Sequence, residues 1–340
     1  MTKDDHSTTT SQFAHLTYPE LRINDNLLDE NPRVIKFQSK FESFQLHEPP
    51  TTNIGTLSRL PLELLQEVLY QLDIATLVGF RRVNRQAFVI LGSVPAYRAI
   101  AKHARNALCG ALAIGAGRWI SCGTLYEKLS TPECEVCGDF AGYLYLLTCK
   151  RVCFICLSEE PLYLPLRLSH ACRKFGLNSK IINKLPCMRV IPGTYSPNEK
   201  KTPQCILVDC KSALTAGITA HGSIRAMDTF VSDLKTQRFE EYIARKAAAR
   251  NLGDGLSRVR RPPTHDPHDG QSGNPLRFVA VARVPCLSAA SQELEWGFHC
   301  LGCERAKRSP LHYRRKFTVA SFKDHLAQCG GIRNGEHHLN

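Results

Sequence analysis

Two pairs of closely spaced cysteines constrain the fold of this chain more than any other feature of its sequence. Cys134 and Cys137 form one C-x-x-C pair, and Cys153 and Cys156 form a second pair fifteen residues further on. Two residues between thiolates allow one turn to present both sulfurs to a metal, and two such turns complete the tetrahedron that Zn²⁺ accepts. Four sulfurs leave no open coordination position. The spacing therefore predicts a structural zinc site that contributes to folding rather than to catalysis.

Other interpretations of this cysteine cluster are weaker. Cys149 lies four residues before Cys153 and is an alternative ligand. A thioredoxin-like redox site has one C-x-x-C pair at the start of a helix and no second pair in register. A RING domain needs about eight ligands around two metals, whereas this segment offers five cysteines and no histidine. The remaining interpretation is that the cysteines are small buried apolar residues.

A second cluster lies near the end of the sequence. Cys300 and Cys303 form a third C-x-x-C pair, and His325 follows after twenty-one intervening residues. Cys329 comes one helical turn after His325, so that both would lie on one face of a helix. The four residues predict a second zinc site, which makes one or two zinc ions in total.

The helix that would present this second ligand pair has its own start signal. Ser321 with Asp324 predicts a capping box at its amino terminus. His299 and His312 are alternative ligands, and the structural interpretation is a helix with one surface histidine.

Cysteine usage and the amino terminus indicate the compartment. The chain has 15 cysteines, and its first residues lack the basic and apolar regions of a secretion signal. A reducing cytoplasm and/or nucleus is therefore expected, where tight cysteine pairs bind metal more often than they form disulfides. No run of 18 apolar residues is present, so no membrane span or membrane partner is expected.

Residues 57–72 carry the clearest helical pattern. Pro61 stands at a plausible first helical position, and leucine and valine then recur at three- and four-residue steps. Asp73 and Asn84 are predicted to cap a second and a third short helix. Three short helices in about 40 residues cannot bury all of their apolar surface alone. The apolar face packs either on the rest of the chain or on a partner.

These helices carry the text Leu60-Pro-Leu-Glu-Leu-Leu-Gln-Glu-Val-Leu-Tyr-Gln-Leu-Asp73, then Leu77, then Arg81-Arg-Val-Asn-Arg-Gln-Ala-Phe88. This combination resembles the F-box motif. The resemblance implies binding to the Skp-type adaptor of an SCF-type cullin-RING ubiquitin ligase, and through it to a cullin. The rest of the chain would present an unknown protein substrate. The residues that the resemblance assigns to adaptor binding are Leu60, Pro61, Leu64, Leu65, Val68 and Leu69.

The layout as a whole is similar to the fungal F-box domain proteins, most densely from Leu57 to Glu159 and from Phe278 to Cys329. The predicted fold class is α+β, with a three-helix module followed by a zinc-stabilised mixed region. The predicted segments are a disordered tail at 1–55, the helical module at 56–97, a zinc-knuckle domain at 98–257, a linker at 258–276, a zinc-finger-like segment at 277–331 and a tail at 332–340.

Charge supports a second class of function, a zinc-finger nucleic-acid-binding or regulatory protein. The chain has 44 Lys+Arg against 31 Asp+Glu, which gives +13. Seven cations against two acids lie between Cys300 and His325, and Arg314, Arg315 and Lys316 are the candidate phosphate-binding residues. Against this class, most of the basic residues precede the helix that would read bases.

No motif for catalysis is found. The sequence contains no G-x-S-x-G, P-loop, Gly-rich dinucleotide turn or H-E-x-x-H. Any ubiquitin-ligase activity would belong to the complex and not to this chain.

Overall fold

The computed structural model describes residues 13–19, 25–42, 52–196, 201–251, 259–263, 273–288, 291–304 and 311–338. Helices, the longest of which has 28 residues, and short strands make up the α+β fold that the sequence predicts. The α-helices are α1 Pro32–Glu42, α2 Leu62–Gln71, α3 Ile74–Arg81, α4 Arg85–Ser93, α5 Pro95–His103, α6 Arg105–Ala113, α7 Cys122–Ser130, α8 Phe154–Glu159, α9 Leu168–Phe175, α10 Ser179–Ile182, α11 Cys210–His221, α12 Ile224–Asn251, α13 Leu301–Glu304 and α14 Val319–Cys329.

The strands contain two or three residues each. They are β1 Thr17–Tyr18, β2 Tyr143–Tyr145, β3 Lys150–Val152, β4 Leu166–Arg167, β5 Cys187–Arg189, β6 Gly193–Thr194, β7 Lys201–Thr202, β8 Ile206–Val208, β9 Val281–Arg283, β10 Cys286–Leu287, β11 Leu294–Glu295, β12 His299–Cys300, β13 Gly331–Arg333 and β14 Glu336–His338. No helix in these ranges combines the length and the apolar character needed to cross a bilayer.

The chain divides into two compact units whose boundaries differ from the predicted domains. Residues 1–160, 188–204 and 272–340 form the first unit, and residues 161–187 and 205–271 form the second. The helical module, both cysteine clusters and the carboxyl-terminal segment therefore share one unit. The predicted division at 98 and again at 277 does not separate them.

A three-stranded antiparallel sheet joins the middle and the end of the first unit. Strand β2 pairs with β3 on one side and with β9 on the other, so that Tyr143 faces both Val152 and Arg283. The Leu146 amide extends the second pairing by donating to the Ala280 carbonyl at 2.8 Å. The segment after the linker thus completes the sheet of the first cysteine cluster, because an unpaired edge of β2 would leave backbone groups unsatisfied.

Much of the amino-terminal segment that was predicted to be disordered is folded. Leu27, Leu28 and Val34 are buried, and α1 packs against α6. Glu30 forms an ion pair with Arg283 of β9. The sequence does not predict these three buried residues or this ion pair, because they follow no local periodicity of apolar residues. Of the predicted tail, residues 1–12, 20–24 and 43–51 lie outside the described residues.

The three predicted helices at 57–92 are present as α2, α3 and α4. Asp73 caps α3 by accepting from the Thr76 amide at 2.9 Å, and Asn84 caps α4 by accepting from the Ala87 amide at 2.8 Å, as predicted. Pro61 stands one residue before the first helical residue and not at it. Two backbone hydrogen bonds, one on each side of the α2–α3 junction, attach the module to residues 120–122.

The second unit has a small core of its own. Strands β4 and β8 pair, and helices α9, α11 and α12 pack together beside them. The buried core residues are Leu166, Ala171, Phe175, Leu177, Ile182, Val208, Cys210, Ala213 and Met227.

The end of the chain is a hairpin instead of the predicted tail. Strands β13 and β14 pair through a turn at Asn334 and Gly335, both of which have positive φ angles. Asn-Gly favours this type of two-residue turn. Of the predicted linker at 258–276, only 259–263 and 273–276 are described, and a short 3-10 helix begins at Pro275.

Gly79 offers a test of local stability in the helical module. It lies inside α3 with no atom within 4 Å of a Cβ added to it. We expect Gly79→Ala to raise the free energy of unfolding by about 0.5–1 kcal/mol, because alanine loses less backbone entropy in a helix. Gly115 is the matched control, with equal space but a φ of 76°. Gly115→Ala should lower stability by about 1 kcal/mol. Denaturant unfolding of both variants measures the difference, and two changes of the same sign would contradict this account.

Candidate functional sites

The first cysteine cluster is built from a turn and the start of a helix. Cys134 and Cys137 lie in the turn, whose backbone closes where the Gly138 amide donates to the Cys134 carbonyl at 2.9 Å. Gly138 has a φ of 78°, which suits glycine. Cys153 is the N-cap of α8, and Cys156 lies in its first turn. The hairpin of β2 and β3 joins the turn to the helix.

The geometry of this cluster fits a metal. The four sulfurs of Cys134, Cys137, Cys153 and Cys156 lie within 4.8 Å of one another, and Cys137 Sγ is 3.7 Å from Cys153 Sγ. In a tetrahedral site with Zn–S bonds of about 2.3 Å, neighbouring sulfurs lie about 3.8 Å apart. The Cys153 thiol also donates to the Cys134 sulfur and lowers the pKa of Cys134 to about 5. The cluster could hold one metal ion.

Cys149, the alternative ligand, is not part of the cluster. Its backbone is left-handed, with a φ of 54°, and its side chain is buried. Burial raises the pKa of the Cys149 thiol to about 12, so that the thiol stays protonated. The four-cysteine set is therefore the one that the structure brings together.

A buried arginine fixes the hairpin between the two ligand pairs. Arg151 of β3 has no exposed surface, and its Nε donates to the Ala141 carbonyl at 2.9 Å. Its Nη1 donates to the carbonyls of Lys128 and Pro285 at 2.8 and 3.0 Å. The Arg151 backbone in turn bonds to Glu135, which lies between the first two cysteines. The ligand turn is thus held against α7 and against the end of β9.

The second cluster draws its ligands from four elements. Cys300 ends β12, Cys303 lies in α13, His325 lies in α14 and His337 lies in β14. Their ligand atoms lie within 4.8 Å of one another. Cys303 Sγ is 3.3 Å from His325 Nε2 and 3.4 Å from His337 Nε2. A sulfur and a nitrogen on one tetrahedral zinc lie about 3.5 Å apart. This group could hold a second ion.

The fourth member of this group corrects the predicted ligand set. The prediction places Cys329 in the site, whereas the structure places His337 there. Cys329 Sγ lies 3.6 Å from His325 Nδ1, on the other nitrogen of the ring. Cys329 therefore contacts the His325 ring on the side away from the other three residues, because His325 Nε2 is the nitrogen that faces Cys303. The Asn-Gly turn before β14 is the sequence signal that could have indicated His337.

Hydrogen bonds orient both histidines for this role. His337 Nδ1 is 3.0 Å from the Gly330 carbonyl, which leaves Nε2 towards the cysteines. Such outer contacts commonly fix the tautomer of a metal-binding histidine.

The helix that carries His325 starts at Val319 with Thr318 as its N-cap, three residues before the predicted cap Ser321. Ser321 supplies the second half of the capping box in place of Asp324.

The other two candidate histidines lie outside the group. His299 Nδ1 is 3.0 Å from the Arg315 carbonyl, and its ring stacks on Tyr18. Burial lowers the pKa of His299 to about 4, so that it is neutral near pH 7. The ring centre of His312 is 6.2 Å from that of His325.

The three candidate phosphate-binding residues bond within the protein. Arg314 is buried, pairs with Asp25 and lies over the Phe154 ring at 3.5 Å. Arg315 donates to Asp139 at 2.5 Å. Lys316 donates to a backbone carbonyl at 3.0 Å. Arg314 and Arg315 thereby connect the segment of the second cluster to that of the first.

Helix α2 presents an apolar face to solvent. Leu64 is 56% exposed and Val68 is 47% exposed, one turn apart on the same side. Together with the two residues that precede the helix they form the α2 face, which consists of Leu60, Pro61, Leu64 and Val68. Leu65 and Leu69 are buried and serve the core of this chain. The six residues predicted for adaptor binding therefore divide into four on the surface and two in the interior.

Comparison with known families identifies the helical module. The F-box domain profile matches residues 57–98, which span α2, α3 and α4. The chain therefore carries an F-box domain, a module that typically binds Skp-type adaptors leading to a cullin, in proteins that are typically adaptors and not enzymes. Comparison with curated proteins and with solved structures gives no match.

The different positions of His337 and Cys329 predict different metal contents for variants of these two residues. We expect His337→Ala to lose one metal ion per chain, because the hairpin then offers no ligand at the fourth position. Cys329→Ala should keep that ion with weaker affinity, since it removes only a contact to His325 Nδ1. Mass spectrometry of the native protein counts the ions. Loss of the ion in Cys329→Ala with retention in His337→Ala would restore the ligand set predicted from sequence.

Gly302 provides a further test of the same site. A Cβ at this position would lie 2.8 Å from the His337 ring, which is too close, so that only glycine fits here. Gly302→Ala should therefore displace His337 and reduce the metal content of the second cluster, while the first cluster keeps its ion. Gly331→Ala, in the hairpin that carries His337, is the control, since no atom lies within 4 Å of its added Cβ. Equal effects of the two substitutions would contradict the role of Gly302.

Proposed function

We propose that this protein is a substrate-recognition adaptor of an SCF-type cullin-RING ubiquitin ligase, of the kind found among fungal F-box domain proteins. The α2 face binds the Skp-type adaptor, and the remainder of the chain presents an unidentified protein substrate. The protein acts in the cytoplasm and/or nucleus. It supplies recognition only, and ubiquitin transfer belongs to the complex.

The exposure of the α2 face inside a matched F-box domain is the observation that supports this proposal. Its leucines and valine lie on the surface although the helix has an interior side that Leu65 and Leu69 occupy. Burying one such side chain in a partner is worth about 1.5–3 kcal/mol. A helical face of this kind fits an apolar groove, with contacts at three- and four-residue steps.

The two cysteine and histidine groups support a structural role for zinc in the same proposal. Each group offers four ligands, so that neither leaves a coordination position open for a reacting water. None of the 15 cysteines, all of which lie in the described part of the chain, forms a disulfide, which is consistent with a reducing compartment. Zinc at both positions would fix the ligand turn, the hairpin of β13 and β14 and the segments that they contact.

A pull-down with the purified Skp-type adaptor tests the docking role. We expect Leu64→Asp, Val68→Asp to weaken binding at least about a hundredfold, because two apolar contacts are lost and two charges would be buried. Leu62→Asp is the matched control, since Leu62 is 48% exposed but lies on the opposite side of α2.

Each protein is also checked by thermal melting and zinc content. Equal loss of binding in the control and in the double variant would show that the contact is not specific to the α2 face. No binding by folded, zinc-loaded wild type would remove the adaptor role.

A further inference from the structure

Five arginines surround one cavity in the second unit. The cavity has a volume of about 710 Å³, within the range of about 300–1,000 Å³ that is typical of ligand sites. None of the described residues that line it is acidic. The residues that line the cavity are Arg173, Arg238, Arg245, Arg260, Arg261, Pro262 and Pro263.

Three separate segments bring these arginines together. Arg173 lies in the last turn of α9, which packs against α12. Arg238 and Arg245 lie seven residues apart on α12, so that they share one side of the helix about 10 Å apart along its axis. The segment 259–263 meets the same helix, where the Arg261 guanidinium lies 6.0 Å from the centre of the Phe239 ring.

The charges of this cavity are not neutralised by the described residues of the chain. No ion pair joins any of the five guanidinium groups to a carboxylate in those residues. Glu241, which lies between Arg238 and Arg245 on α12, accepts from Gln237 with its carboxylate and from Arg245 with its backbone carbonyl. Like charges around a concave surface repel one another, and a bound anion removes that cost.

The chemistry of the lining selects the kind of anion. Guanidinium groups match phosphate oxygens with paired hydrogen bonds, and the described lining of the cavity contains arginine and no lysine. No aromatic side chain is among the described residues that line the cavity, and Phe239 contacts it only through Arg261, whereas proteins that hold single-stranded nucleic acid usually stack bases on aromatic rings. Two phosphoserines carry about −3 to −4 at pH 7, which nearly balances five arginines.

We propose that this cavity binds a peptide segment of a protein partner that carries two or more phosphate groups. Such a segment is recognised by the arginine cluster through charge-assisted hydrogen bonds. An extended chain rises about 3.3 Å per residue, so that phosphoserines three positions apart match the spacing of Arg238 and Arg245. The site goes beyond the adaptor role, and it belongs to a different unit from the α2 face.

Fluorescence anisotropy with the full-length protein tests the site without any Skp-type adaptor. The probe is a labelled ten-residue peptide with two phosphoserines three positions apart, at about 0.15 M salt. We expect Arg238→Gln, Arg245→Gln to weaken binding at least about tenfold. The unphosphorylated peptide should show no saturable binding.

The matched control is Arg225→Gln, Lys235→Gln, which removes the same charge from exposed positions of the same helix that do not line the cavity. It should change the affinity less than about twofold, and circular dichroism checks that both double variants stay folded. Equal loss in the two double variants would show general charge attraction and overturn the site. Tighter binding of a single-stranded oligonucleotide of matched charge would reassign the cavity to nucleic acid, and absence of phosphopeptide binding would remove the proposal.

Discussion

The first unit depends on the hydrogen bonds that the buried guanidinium of Arg151 donates. The guanidinium bonds to carbonyls of α7, of the turn before β2 and of the segment after β9, which are far apart in sequence. No carboxylate pairs with it within the described residues, and burial lowers the pKa of Arg151 to about 10. A buried charge is tolerated only when its hydrogen bonds are satisfied. The carbonyls must therefore stay in place. This requirement also fixes the three segments that carry them: α7, the turn before β2 and the segment after β9.

A second set of arginines links the two metal groups. Arg314 lies over Phe154, next to the ligand Cys153, and pairs with Asp25 of the amino-terminal segment. Arg315 bonds to Asp139, just after the first ligand turn. These two arginines therefore pair with acids of the protein itself. By contrast, the arginines of the second unit surround a cavity, which is why we assign anion binding to that unit.

Sequence reasoning succeeded where the ligands or the contacts are close along the chain. The four cysteines of the first cluster lie within one short segment, and the three helices of the F-box domain show their caps and their periodicity directly. It failed at His337, at the burial of Leu65 and Leu69 within the chain, and at the fold of residues 25–42. The buried leucines and residues 25–42 depend on partners far away along the chain, for which the local pattern holds no information. For His337, the Asn-Gly turn indicates the hairpin but not its contact with Cys300 and Cys303.

By itself, the sequence determined the α+β class, the F-box helices and the four-cysteine site, because these follow from spacing and periodicity over fewer than about 45 residues. Only the tertiary structure decided that β9 completes the sheet of the first cluster, that His337 replaces Cys329 beside Cys300 and Cys303, and that five arginines surround one cavity. These arrangements join residues from distant segments. Their geometry is set by how the chain packs and pairs its backbone, which local spacing and periodicity do not specify.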